Sequence, residues 1–340
     1  MTVQGRVVCF GEILLRLAAP DQEMLLQTPR LKVSVAGAEA NVGVSLARLG
    51  HDVRVVSILP DNALGAAAVE EIRRHGVDVS GLHREPGRMG LYFLTPGAGT
   101  RPSEVLYDRA NSAFARAAIE RIDWERELEG ADWFHLSGVT PAIGPDSAAA
   151  AVRAARAARD KGLTVSFDGN YRQKLWEAWA GDAPAILREL LEQADVLFGD
   201  HRDVSLILGK SFEGMEGGER RRAAAEAAFE AFPRLQRMIC TIRVQHSVEH
   251  HDLAGRMYSR EATWKTEPGS MMAIVDRIGG GDAFAAGIIH GLRRGFADQE
   301  TLEFGVAAAR LKHTIPGDFN LAAERDIRAL MGGGALDVRR

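Results

Sequence analysis

Asp276-Arg277-Ile278-Gly279-Gly280-Gly281-Asp282-Ala283-Phe284-Ala285-Ala286-Gly287 sets three glycines before a carboxylate, at the point where a helical pattern begins. The first N–H groups of a helix have no partner inside it, and the positive end of the helix dipole lies behind them. A glycine-rich entry therefore exposes donors suited to a phosphate anion. Asp282 then stands where it can take a proton from an attacking hydroxyl. An anion site beside a base supplies the parts that phosphoryl transfer needs; the same run also reads as an ordinary N-cap after a flexible turn. The dipole and the nearby amides predict that Asp282 stays ionised at neutral pH.

Outward from this run, short apolar stretches alternate with helical ones. Strands are predicted at 7–10, 53–58, 133–136, 163–167, 196–198 and 238–242, with helices at 38–49, 64–75, 146–161 and 184–193. This order predicts an α/β fold with a mostly parallel sheet covered by helices on both faces. Segments 13–35 and 88–112 break the rhythm with extended residues punctuated by Pro and Gly. They predict a small second sheet over the carboxyl ends of the main strands, the edge where open α/β sheets bind ligands. Further helices are predicted at 282–294, 298–312 and 322–331. No linker divides the chain, so 1–331 reads as a single domain and 332–340 as a mobile tail.

The 340 residues are 46% hydrophobic and carry a formal net charge of −4, with acids and bases interspersed. No basic stripe offers itself to a nucleic acid or an anionic membrane, which leaves a small molecule as the expected partner. Cys9 and Cys240 are too few for a disulfide framework or a thiolate metal site and fit a reducing compartment. Glu12 and Arg16 interrupt the N-terminal apolar pattern, so no secretory signal or membrane anchor is expected and the protein is placed in the cytoplasm.

Several chemistries lack their residues. Gly209-Lys210-Ser211 imitates the end of a P-loop, but Val204 stands where the earlier glycine is required. Phe284 stands where a dinucleotide fingerprint needs its last glycine. His246, His250, His251 and Asp252 cluster in sequence without a His-Glu-x-x-His pattern and read as solvated side chains. There is no Gly-x-Ser-x-Gly elbow.

Gly37 opens a second predicted helix toward the same sheet edge, with the amide of Asn41 available for hydroxyl groups. Tyr107 and Arg109 share one side of an extended segment, and Arg172 follows the strand that ends at Asp168-Gly169-Asn170. A guanidinium binds a carboxylate in a bidentate fork, so two arginines at a substrate pocket suit a sugar acid better than a neutral sugar.

With these motifs the chain resembles the ribokinase-like (PfkB) carbohydrate kinases over nearly its whole length, and within them the 2-keto-3-deoxygluconate kinases. The specific element is the family's Asp-x-x-Gly-Ala/Gly-Gly-Asp motif, here 276–282. The resemblance implies a three-layer α/β/α sandwich with a small β-sheet lid, ATP as donor, Asp282 as catalytic base, and an anion hole from Gly279, Gly280 and Gly281. Ala36-Gly37-Ala38-Glu39-Ala40-Asn41 resembles the N-terminal motif, with Ala36 in place of one glycine, and implies substrate contacts for Gly37 and Asn41. Segments 90–93, 107–109, 170–172 and 315–319 resemble the keto-deoxy-acid branch and imply substrate contacts for Tyr92, Tyr107, Arg109, Arg172 and Asp318.

For the nucleotide, the family's late-strand loop is similar to 240–247. The resemblance implies nucleotide contacts for Asn170, Asp200, Thr241, Arg243, Ser247, Gly279 and Gly281. The family's Asn-x-x-Glu magnesium motif falls on Asp200-His201-Arg202-Asp203, an acid for the amide and a shorter acid for the glutamate, which leaves Asp203 to reach Mg²⁺ through water. Whether K⁺ binds beside Asp276 stays open. A homodimer or higher oligomer through the lid is implied as well. The expected reaction moves the γ-phosphoryl group of ATP to the 6-hydroxyl of 2-keto-3-deoxygluconate. A kinase for ribose, fructose or a nucleoside and a non-catalytic sugar-acid sensor are the alternatives.

Overall fold

Val7, Val8, Cys9 and Phe10 expose none of their surface, because the strand they form lies inside a sheet with both faces covered. A computed structural model describes residues 5–116 and 122–333. Its strands in chain order are β1 (Arg6–Phe10), β2 (Leu14–Ala18), β3 (Lys32–Ala36), β4 (Val53–Pro60), β5 (Leu82–Glu85), β6 (Gly90–Thr95) and β7 (Glu104–Asp108). There follow β8 (Ala131–Ser137), β9 (Thr164–Asp168), β10 (Val196–Phe198), β11 (Arg237–Gln245), β12 (His251–Tyr258), β13 (Thr263–Lys265) and β14 (Gly269–Met271).

Among the described residues the main sheet runs β13-β12-β11-β10-β9-β8-β1-β4-β5, with β14 on β12. From β5 to β11 every pair is parallel, and β12 returns antiparallel to β11. Side chains alternate across a strand. Val7 and Cys9 accordingly pack with the helices Ala38–Arg48 and Gly280–Arg294, while Val8 and Phe10 pack with Pro145–Asp160 and Ala183–Leu191. Two cores on opposite faces of one sheet make the expected three layers.

The two segments that broke the rhythm supply a separate four-stranded sheet in the order β3-β2-β6-β7. Leu14, Ala36, Tyr92 and Leu94 form an apolar cluster on its inner side. The antiparallel arm β12–β14 and the helices His201–Leu208 and Gly217–Ala231 were not foreseen. The helix Gly217–Ala231 opens with Gly-Gly-Glu-Arg-Arg-Arg and buries only Ala224, Ala225, Ala228 and Phe229, which leaves little apolar periodicity to read. Of the expected mobile tail, residues 334–340 lie outside the described residues. Among the described residues no helix is long and apolar enough to cross a membrane.

Candidate active site

The helix Gly280–Arg294 begins two residues earlier than the sequence pattern indicates, and Gly279 caps it with φ 79°. An L side chain is strained there, and a Cβ at Gly279 would overlap the Asp318 carbonyl oxygen. The Gly280 N–H turns back to the Arg277 carbonyl at 3.3 Å, and Ala283 N–H begins the helical ladder by donating to Gly279 O at 2.9 Å. The amides of Gly281 and Asp282, at the first turn, therefore have no intrahelical acceptor and could meet an anion.

A cavity of about 340 Å³ lies between the carboxyl ends of the main strands and the small sheet. It gathers every residue expected at the substrate: Gly37, Asn41, Tyr92, Tyr107, Arg109, Arg172, Asp282 and Asp318. Asn170, Arg243, Arg277, Gly279, Gly280 and Gly281 share the lining. Asn41 Nδ2 donates to Asp282 Oδ2 at 2.6 Å, so the start of one helix fixes the carboxylate at the start of another. Tyr92 Oη donates to Asp318 at 2.8 Å, and Arg16 donates to Asp318 at 3.1 Å. Asp318 is thus held by two buried side chains at the cavity wall.

The two arginines differ in what they have left to offer. Arg109 Nε donates to Glu12 at 2.6 Å with both side chains buried, so its charge is already balanced. Arg172 lies exposed at the rim and donates to the Tyr171 carbonyl at 3.0 Å.

Acids crowd the cavity floor, and their ionisation reflects it. Burial lifts Asp282 to about 7 against the Asn41 hydrogen bond, with Asp318 and Glu39 adding to the rise. The helix N-terminus does not keep this carboxylate at an ordinary value, because desolvation outweighs the dipole. Burial with the charges of Asp282 and Asp203 pushes Asp168 to about 8, and burial raises Asp203 to about 6. Glu39 is also raised by burial; its Oε1 accepts from Ser137 and Thr140 at 2.8 Å while Oε2 has no hydrogen-bond partner among the described residues.

A second cavity of about 540 Å³ meets the first at Gly280 and Gly281. Asp200, Thr241 and Arg243 line it, together with Arg202, Arg221, Arg277 and His313. Four guanidinium groups and a helix entry suit a polyphosphate. Of the residues expected at a nucleotide, Asn170 and Gly279 line the smaller cavity instead. Ser247 lines neither and accepts the Glu249 N–H in the turn between β11 and β12 at 3.3 Å.

Asp200 and Asp203 form a capping box on the helix His201–Leu208, in which Asp203 Oδ2 accepts the Asp200 N–H at 2.8 Å. A Cβ at Gly169 would stand 2.6 Å from Asp203 Oδ1, so glycine leaves room beside that oxygen. Asp203 and Asp168 offer hard oxygen donors whose pKa is raised by burial and, next, by neighbouring acids, a set that fits Mg²⁺. Asp276 does not offer such an opening. Its Oδ2 accepts from Arg16 at 2.6 Å and from Gly317 N–H at 3.0 Å, and its Oδ1 from Ile278 N–H at 3.0 Å. In the histidine cluster, His246, His250 and Asp252 come together at the β11–β12 turn, outside both cavities, while His251 is buried.

Sequence reasoning missed Asp168, Glu39, Arg16, Arg277 and Lys312 as parts of this centre. Asp168, Glu39 and Arg277 lay inside the motifs at 168–170, 36–41 and 276–282 and had a signal. Arg16 and Lys312 sit in ordinary strand and helix patterns, and only the fold brings them to Asp276 and Asp318.

The pfkB family carbohydrate kinase profile matches residues 4–322. A 2-dehydro-3-deoxygalactonokinase of Haloferax volcanii is 30% identical over 336 residues, 99% of this chain and 99% of that protein. A 2-dehydro-3-deoxygluconokinase of Bacillus subtilis is 26% identical across 92% of this chain and 91% of its own. The crystal structure of 2-dehydro-3-deoxygluconokinase from Thermotoga maritima matches with a TM-score of 0.91 at 39% identity, covering 97% of this chain and 100% of that one.

Proposed function

The chain belongs to the pfkB family of carbohydrate kinases, and from that premise we propose that it transfers the γ-phosphoryl group of ATP to the 6-hydroxyl of 2-keto-3-deoxygluconate or its galactonate epimer. The observation that carries this reading is the meeting of two cavities at Gly280 and Gly281, with Asp282 on the smaller side and an arginine-rich wall on the larger. The sugar acid takes the smaller cavity, and ATP the larger. Relatives named for keto-deoxy sugar acids and the rim arginine support an acidic acceptor.

Asp282, oriented by Asn41, accepts the proton of the acceptor hydroxyl. The amides of Gly281 and Asp282, with Arg243 and Arg277, stabilise charge on the transferring group, while Arg172 aligns the acceptor carboxylate. Asp203, with Asp168 nearby, would hold Mg²⁺ through water, and the ion would supply neutralisation of phosphate charge. Val33 of β3 and Leu106 of β7 are each 61% exposed, which fits an assembly of two copies through the small sheet. Cys9 and Cys240, both free and buried, fit a reducing cytoplasm.

ADP release measured across keto-deoxy sugar acids, hexoses and pentoses tests the proposal. Turnover is expected with the keto-deoxy acids; faster turnover of ribose or fructose overturns the acceptor class, and no sugar-dependent ADP release favours the sensor. Arg172→Ala should raise KM for the keto acid about tenfold to a hundredfold, the worth of a hydrogen bond to a charged group, and change KM for a neutral sugar little. Equal effects on both would remove Arg172 from carboxylate recognition.

The pH profile follows from Asp282. A base raised to about 7 must lose its proton to work, so kcat/KM should fall as pH drops through that region. Asn41→Ala removes a donor that favours the ionised form and should move this acid limb to higher pH. A limb near the ordinary carboxylate value, unmoved in Asn41→Ala, contradicts the assignment.

A further inference from the structure

Lys312 is a fully buried lysine at the end of the helix Asp298–Lys312. A buried ammonium is costly unless its charge is answered. Its Nζ donates to the Ile315 carbonyl at 3.0 Å, and its Cε passes 3.3 Å from the position a Cβ would take on Gly279. The charge acts on Asp276, Asp318 and Asp282, which partly offset the lowering that burial imposes on the ammonium.

The same turn is tied from its other side. Gly317 N–H donates to Asp276, Arg16 bridges Asp276 and Asp318, and the Asp318 carbonyl closes over Gly279. Asp276 and Asp318 thus face two internal cations, Arg16 and Lys312. The two cations match the charge of Asp276 and Asp318, and the Ile315 carbonyl at the same turn already accepts from the ammonium.

We propose that Lys312 is a built-in monovalent cation: its ammonium pins the 315–318 turn against the Gly279 entry and so positions the anion-binding amides, and the enzyme needs no K⁺. Lys312 is a positioning residue, acting through Gly279 and Asp318 rather than on substrate. The activity arm of its test rests on the kinase reaction proposed above, and the melting arm does not.

Wild-type and Lys312→Ala proteins are compared in chlorides of K⁺, NH₄⁺, Na⁺ and tetramethylammonium at constant ionic strength, by sugar-dependent ADP release and by thermal melting. Wild-type rates should agree within about threefold and melting temperatures within about 1 °C across the salts. Lys312→Ala should be slower by at least about tenfold in tetramethylammonium. K⁺ or NH₄⁺ should restore part of its rate and raise its melting temperature, because a small cation can enter the space the ammonium left. Wild-type stimulation by K⁺ beyond about threefold overturns the proposal, as does a Lys312→Ala protein whose rate and melting ignore the cation. If Lys312→Ala does not fold, the wild-type comparison decides alone: flat rates support the proposal and stimulation overturns it. If no acceptor sustains turnover, the acceptor reading fails while the melting comparison still tests Lys312.

Discussion

Asp282→Asn should lower turnover about 10²- to 10⁴-fold, the usual contribution of a positioned general base, while KM for ATP stays nearly unchanged. Asparagine keeps the shape and can still accept the hydrogen bond from Asn41, but it takes no proton. The nucleotide-side groups Arg243, Arg277 and Gly281 are untouched. The fold should not suffer. The native carboxyl is raised to about 7, so between its ordinary value and that point the folded state holds a proton the unfolded chain has released. Stability contributed by this group therefore falls as pH rises through that window and is lowest above it. Replacing the charged group with a neutral amide removes the penalty, and the melting temperature at pH 8 should hold or rise. Steady-state kinetics and melting curves check both halves; turnover equal to wild type removes Asp282 from the mechanism.

Gly279→Ala should be the most disruptive of the glycine substitutions at the phosphate entry, costing about 3 kcal/mol or more. The φ of 79° alone costs an alanine about 1–2 kcal/mol, and the methyl overlaps the Asp318 carbonyl. Relief requires the 315–318 turn to move, which loosens Asp318 from Tyr92 and Arg16. Loss of melting temperature and loss of sugar affinity should therefore appear together. Gly281→Ala is the contrasting variant. A Cβ there meets no atom within 4 Å, so the helix should gain up to about 1 kcal/mol from the better former. Its methyl instead enters the space shared by the two cavities, and the rate should fall without a fall in stability. Melting curves of the pair decide. Equal stability of the two variants contradicts the conformational argument.

Much of the site was legible because its residues lie in short motifs whose local geometry is repeated wherever they occur. Gly37 and Asn41 open one helix, Gly279 to Asp282 open another, and both helices pack in the same layer against β1. Tyr107 and Arg109 were readable from two-residue alternation in an extended segment beside the cavity, and Tyr92 from the resemblance of segment 90–93. Less legible was what each charge meets. Arg109 and Arg172 look alike in the sequence, yet one is neutralised by Glu12, 97 residues away, while the other stands at the rim. The ionisation of Asp282 was misjudged for the same reason: the helix dipole is a local property, whereas burial and the charges of Asp318 and Glu39 are not.

The sequence by itself determined the α/β layering, the second small sheet and the glycine-rich helix entry at 279–282 that ends in Asp282. These follow from periodicity and backbone freedom, which act over a few residues. Only the tertiary structure decided the electrostatics: which acids crowd together at the strand ends, which arginine keeps its charge available, and that Arg16 and Lys312 answer Asp276 and Asp318. Charge interactions depend on distance through space and on the water excluded between groups, and neither is written in the spacing of residues along the chain.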